Sequence, residues 1–328
     1  MNALRAALVR RLADGRPHAE AVLAAQLGIE ASLLQRELRA LAGWGLQPLA
    51  LPGEQWRLAD PPELLDRGAI EAALGADRLA ACLALELHDE LDSTNARLLA
   101  ASPPAPGQWR ACLAEYQSAG RGRRGRAWTQ PFGGGLCASL GWSFAAPPAG
   151  LAALALAAGV AVLRSLDSSG VAGLSLKWPN DVLRDGGKLG GILCELRSDP
   201  AGPVYVVVGV GLNVRLSEDA RSDILEAGGV DPADLADVPG LSRNALAARL
   251  LDSLVRMAGE FAERGFAPFA EAWRAADALR GRPVRVQAAA VEQVGVARGI
   301  DADGALCVEI AGELTRLTAG DVSLRAVA

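Results

Sequence analysis

The segment Gly120–Arg126 reads GRGRRGR, four arginines and three glycines in a chain whose net charge is −5. Glycines at that spacing break a helix and let backbone amides and arginine forks close on an anion, so the chemistry it points to is phosphate binding. A solvated basic loop, or a glycine–arginine segment that grips single-stranded nucleic acid, are the other readings of the same residues. The lysine and hydroxyl residue that follow the last glycine of a P-loop are missing, which disfavours kinases and ATPases of that class. Lysine itself is scarce: of 33 basic residues only Lys177 and Lys188 are lysines. Where arginine is used so freely, a retained lysine suits a task that needs a compact ammonium, with two chance surface lysines as the plain alternative. Both lie in LKWPNDVLRDGGKLGGILCE, where turns at Asn180-Asp181 and Asp185–Gly187 predict that they share one end of neighbouring strands. Gly190-Gly191 would leave room there for a ligand against bare backbone. A third candidate is LDSTNARLLA, with Asp92, Ser93, Thr94 and Asn95 directly before an apolar helical run. These residues can cap the helix, offer hydroxyls and free N–H groups to a polar ligand, or do both.

The rest of the composition removes other chemistries. Two histidines, His18 and His88, stand far apart, and five cysteines have no paired spacing. No metal site built from protein ligands alone, no disulfide framework and no Cys/His nucleophile pair is expected; reduced thiols and a cytoplasmic setting are. The most apolar run, GLAALALAAGVAVLRSL from Gly150, reaches Arg164 too soon to span a bilayer and is predicted to be a buried helix. The acidic balance argues against general affinity for nucleic acid or membrane, so positive charge must act locally.

Three blocks must position these residues. Residues 1–62 show three short amphipathic segments stopped by glycines, then LQPLALPGEQWRLAD around Pro52-Gly53, which predicts a winged helix-turn-helix. A small helical interaction domain is the alternative, because the candidate recognition helix sets Glu30 and Glu37 against Arg36 and Arg39 and is nearly neutral. Residues 63–279 alternate strand-like and helical runs, with a hairpin expected around Pro200–Pro203, which predicts a mixed α/β domain on a largely antiparallel sheet. Residues 280–328 carry short strands with glycine turns, a small β-barrel.

The motifs DSTNARLL, AEYQSAGRGRRGRAW, PFGGGL, KWPNDVL, GGKLGGILCE and VGVGLNV, in this order, resemble those of bacterial biotin protein ligases. The flanking blocks resemble the bifunctional form that is also the biotin operon repressor. The resemblance covers essentially the whole chain and implies a multidomain α+β protein: winged helix-turn-helix, biotin/lipoate-ligase-like catalytic domain and C-terminal SH3-like barrel. It implies that biotin and MgATP form biotinyl-5′-AMP and that biotin then passes to a lysine of a biotin carboxyl carrier protein. By the same resemblance Ser93, Thr94, Asn95 and Gln117 hold the ureido end of biotin, and Arg121, Gly122 and Arg123 line the biotin and phosphate region. Lys188 meets the biotin carboxylate and acyl-phosphate, Lys177 neutralises phosphate, and Trp128 covers the adenine with Asn180 and Asn213 nearby. Arg123, Lys188 and Lys177 are the implied catalytic residues. Gln35, Arg36 and Arg39 are the implied DNA-facing residues of a homodimer joined through its central sheet. The pattern departs at FGGGLCA, where Cys137 stands in place of larger residues. Lipoate or octanoate ligation on the related fold, and a non-catalytic biotin sensor, are the competing functions.

Overall fold

Glycine, proline and capping residues set the element boundaries in the computed structural model, which describes residues 3–198, 203–227, 230–288, 291–318 and 322–326. The N-terminal block contains α1 (Ala3–Leu12), β1 (His18–Ala19), α2 (Glu20–Leu27), α3 (Ala31–Ala40), β2 (Pro48–Leu51) and β3 (Gln55–Leu58). Gly28 ends α2 in the left-handed conformation, φ 66°, and its N–H closes on the carbonyls of Ala24 and Ala25. The three strands pair in the order β1-β3-β2 against the helices. Their apolar core of Leu8, Leu12, Leu23, Leu34, Leu38 and Leu58 extends onto Phe132 of the following block. Trp44 stacks on Phe132 with ring centroids 4.6 Å apart and also meets Tyr116 at 5.8 Å.

The middle block runs α4 (Arg67–Leu74), α5 (Ala76–Leu79), β4 (Cys82–Leu91), α6 (Thr94–Ala100), β5 (Trp109–Gln117), β6 (Gly135–Phe144), α7 (Leu154–Asp167), β7 (Leu174–Lys177), β8 (Asp181–Arg184), β9 (Gly187–Ser198), β10 (Val204–Asn213), α8 (Glu218–Glu226), α9 (Arg243–Arg264) and α10 (Ala267–Ala275). Its strands form one sheet in the order β4-β5-β6-β10-β9-β8-β7, in which β4 pairs parallel to β5 and every other pairing is antiparallel, as expected. The turn of the expected β9–β10 hairpin, residues 199–202, lies outside the described residues. Leu136, Ala138, Leu140, Trp142 and Phe144 alternate along β6 into a core shared with α7 and α9. The run from Gly150 is the buried helix α7, and no described helix is long and apolar enough to cross a membrane. The opposite sheet face carries α6.

The C-terminal block adds β11 (Pro283–Ala288), β12 (Val291–Ile300), β13 (Leu306–Ile310), β14 (Glu313–Leu317) and β15 (Val322–Ala326), an antiparallel sheet ordered β14-β13-β12-β11-β15. Val284, Val286, Leu306 and Val308 join the core of the middle block.

Candidate functional site

The biotin- and nucleotide-binding residues implied by the resemblance line one cleft of about 460 Å³: Ser93, Thr94, Asn95, Gln117, Arg121, Gly122, Arg123, Trp128, Lys177, Asn180, Lys188 and Asn213. Its floor is the α6 face of the sheet. Ser93 has the expected capping geometry and accepts the Ala96 N–H at 3.4 Å. This presents the start of α6 to the end of β5, where Gln117 Oε1 accepts the Thr94 N–H at 2.8 Å and the Thr94 hydroxyl lies 3.1 Å away. The Gln117 amide then donates to Cys137 Sγ at 3.0 Å. So Cys137 has a partner, and burial pushes its thiol up to about 12. Asn95 is fully engaged: its amide donates to Glu195 Oε2 at 2.8 Å and the Leu193 carbonyl at 3.1 Å, and its oxygen accepts from Ser139 at 2.6 Å. Its side chain ties α6 to β9. Ser139 and Glu195 escaped the sequence reading, because only strand pairing brings them to Asn95, 44 and 100 positions away.

Above this hydrogen-bonded network lies a cationic wall. The arginine loop is an ordered loop between β5 and β6, folded on itself by a bridge between Arg121 and Ala127. The N–H groups of Trp128, Gly122 and Arg126 bond to Gly120, Arg126 and Arg123 carbonyls inside the loop. Three of the loop's amides are thus used to hold its own shape. Arg124 and Gly125 turn the chain with φ of 57° and 71°, and a Cβ on Gly120 would overlap the Trp128 carbonyl. Arg123 is half-buried; burial lowers its basicity, Arg124 and Arg126 lower it further, and Asp181 opposes both. Arg121 reaches Glu195 at 3.5 Å.

The two lysines converge, but by a different arrangement. Lys177 ends β7 and Lys188 opens β9, so β8 lies between their strands, where neighbouring strands were expected. Asn180 closes the turn and Asp181 starts β8, pairing with Lys188 Nζ at 2.6 Å. Asp181 was visible in the WPND motif but drew no role; the ion pair identifies it as the acid that holds the lysine. Lys188 Nζ also sits 5.9 Å from the centre of the Trp128 ring, within cation–π range. Of the two glycines after Lys188, Gly191 faces Trp128 and Lys188, whereas Gly190 packs against the Gly211 carbonyl of β10. Gly209 and Gly211 were also missed: a Cβ would overlap the Asn95 side chain at the first and lie 2.5 Å from the Trp128 indole at the second. Asn180 donates to the Ile192 carbonyl at 2.8 Å, and Asn213 to those of Ala233 at 3.0 Å and Lys188 at 3.3 Å. Both asparagines thus shape the backbone around the lysine. Six cations against Asp181 and Asp223 make the cleft lining strongly positive within an acidic chain.

Away from the cleft, Glu86, His88 and Cys112 bring potential metal donors together. Glu86 is held by Arg97 at 2.7 Å. Burial and then Glu86 push the Cys112 thiol up to about 12, against the thiolate a metal needs. Gln35, Arg36 and Arg39 are exposed on α3; Gln35 bonds to Glu20 at 2.8 Å.

Residues 90–213 match the biotin/lipoate A/B protein ligase family, and residues 280–325 match the biotin protein ligase C terminal domain. The bifunctional ligase/repressor BirA of Salmonella typhimurium is 33% identical over 321 residues, covering 97% of this chain and 96% of its own length. The chain belongs to the biotin protein ligase family. Another relative, the biotin--[acetyl-CoA-carboxylase] ligase of Mycobacterium tuberculosis, is 37% identical over 273 residues, 80% of this chain and 96% of that protein. Among solved structures, the biotin protein ligase from Aquifex aeolicus in complex with biotin and ATP matches with a TM-score of 0.61 at 25% identity, over 75% of this chain and all of that one. The ligase fold thus extends through the middle and C-terminal blocks.

Proposed function

We propose that this chain ligates biotin to protein: it activates biotin with MgATP as biotinyl-5′-AMP and transfers the acyl group to a lysine of a biotin carboxyl carrier protein. The observation that carries this reading is the division of one cleft into a hydrogen-bonding floor and a cationic wall. A ureido ring needs donors and acceptors fixed in orientation, which Ser93, Thr94 and Gln117 supply; the apolar dithiolane ring of lipoate and the straight chain of octanoate need none.

In the first step a carboxylate oxygen attacks the α-phosphorus and pyrophosphate leaves. Two anionic reactants must approach, and fixed cations offset their repulsion; one such donor contributes on the order of 3 kcal/mol in comparable sites. Arg121, Arg123 and Lys177 take phosphate oxygens, and Lys188 exchanges its Asp181 partner for the substrate carboxylate. Trp128 and Lys188 bound the nucleotide side, and the arginine loop excludes water so that the mixed anhydride survives. In the second step the ε-amine of the carrier lysine attacks the acyl carbon and AMP leaves. The acceptor is its own nucleophile, so the enzyme needs no covalent intermediate.

The N-terminal block, residues 1–62, reads as a winged helix-turn-helix with α3 as its recognition helix and Gln35, Arg36 and Arg39 toward operator DNA. A homodimer would place two such helices on a paired site. Residues 63–279 form the catalytic domain and 280–328 an SH3-like barrel, in a cytoplasmic protein. Incubation with a biotin carboxyl carrier domain, biotin and MgATP tests the enzymatic half: a mass gain of one biotinyl group on one lysine is expected, and an unmodified carrier contradicts it. The same protein mixed with biotin, MgATP and operator DNA in a gel-shift assay tests the regulatory half: a shift that needs both biotin and MgATP is expected, and no shift contradicts it.

A further inference from the structure

One cation of the nucleotide side, Lys177, is held in place by the later part of the chain. Lys177 lies between two residues that are each fastened to the C-terminal part of the chain. Before it, the Leu176 N–H donates to the Ala276 carbonyl at 2.7 Å, and the Ala278 N–H donates to the Leu176 carbonyl at 2.9 Å. The segment leading into the C-terminal sheet thereby acts as an extra edge along β7. After it, Trp178 is only 2% exposed, and its indole Nε1–H donates to the carbonyl of Gly304 at 3.1 Å. Gly304 belongs to the turn between β12 and β13. That turn is stiff: the Ala305 N–H and the Asp303 N–H both donate to the Asp301 carboxylate at 2.9 Å. Arg316 pairs with the same carboxylate, and Arg274 donates to the Asp301 carbonyl at 3.3 Å. Gly304 has φ 81°, and a Cβ there would lie 2.8 Å from Ala153 and Leu156, so the turn tip is seated directly on α7 and the segment leading into it.

We propose that Trp178 and Gly304 form a positioning pin through which the C-terminal block sets the Lys177–Asp181 turn for the nucleotide. This rests on the assignment of Lys177 and Asn180 to the nucleotide side of a biotin ligase. A buried indole N–H must keep its acceptor, so the turn carrying Lys177, Asn180 and Asp181 follows the β12–β13 turn. None of Ser93, Thr94 or Gln117 hydrogen-bonds to either residue of the pin. The pin therefore acts first on the nucleotide side, and its link to the biotin side runs only through the Asp181–Lys188 ion pair, not through the groups that face the ureido ring. Misplacement of binding groups by about 1 Å is enough to matter greatly in such sites.

The test is biotin-dependent pyrophosphate exchange by the full chain, with each substrate varied at saturating levels of the other. Trp178→Phe keeps the ring and removes the donor; Gly304→Ala lifts the β12–β13 turn from α7 and approaches the pin from the other side. Both are expected to raise the KM for MgATP about ten-fold while the KM for biotin stays within about two-fold. Parallel rises in both KM values, or a lowered Tm with both KM values unchanged, would overturn the pin and leave Trp178 an ordinary core residue. Should one variant fail to fold, the other alone decides between these outcomes. A wild-type protein without any biotin-dependent exchange would refute the ligase reading instead. The thermal shift produced by MgATP would then still decide the pin: a loss in the variants supports it, and an unchanged shift overturns it.

Discussion

At the residue scale adenylate formation depends most on Lys188, whose ammonium lies 2.6 Å from Asp181 and beside Trp128. A guanidinium is planar and longer, so Lys188→Arg keeps the charge but cannot keep both contacts. We expect adenylate formation to fall by at least ~100-fold, in line with the loss of a key electrostatic group; exchange assays on the purified variant give the number. Arg123→Gly should speed the release of the adenylate, read in a dissociation time course, because a half-buried cation leaves the wall of the cleft. The cysteines should be inert: burial pushes Cys137 and Cys194 up to about 12, so alkylation at pH 8 should be slow and leave activity intact. Scarcity made both lysines legible in the sequence, and clustering did the same for the arginines. Asp181 was not legible as a partner, since an acid after Asn180 is ordinary turn chemistry until β9 is laid beside β8.

Elements hold these residues by close backbone approach. Strand β10 carries Gly209 beneath Asn95 and Gly211 beneath Trp128. Gly211→Ala should push the indole off the strand and raise the KM for ATP, and indole fluorescence should report the displacement. The helices were readable because their signals are local: Ser93 and Ser242 each cap the helix that follows them. The buried helix α7 was equally plain as an apolar run. What sits across the sheet from a residue is set by register, which no local signal encodes, and this is why Ser139 and Glu195 were missed. A pH effect also belongs to this scale. Glu63 anchors the start of α9, and although its burial raises its pKa, the Ser242 hydroxyl, the Arg243 N–H and Asn244 outweigh that and lower it on balance. Its contribution is therefore present above the ordinary glutamate value, about 4.3, and is lost as pH falls through the lowered one. Acid unfolding of Glu63→Gln should show a flatter low-pH limb than the wild type.

In the whole molecule the cleft is braced from both ends of the chain. Trp44 of the N-terminal block stacks on Phe132 and meets Tyr116, the neighbour of Gln117. The Arg243–Glu115 pair, buried with 2.8 Å between its atoms, holds the same region to α9. Removal of residues 1–62 should abolish DNA binding and, by uncovering Phe132 and Tyr116, also raise the KM for biotin; steady-state titration of the truncated protein measures it. The three sheets were foreshadowed by strand-like runs bounded by proline and glycine turns, whereas the packing of Trp44 on Phe132 was not, because a lone aromatic carries no sign of what covers it. The central claim is that one cleft selects biotin and activates it with ATP. Exchange of labelled pyrophosphate into ATP by the purified protein with Mg²⁺, run with biotin, lipoate and octanoate in parallel, tests it most directly. Exchange with biotin alone is the predicted result, and exchange with another acid, or with none, would contradict it.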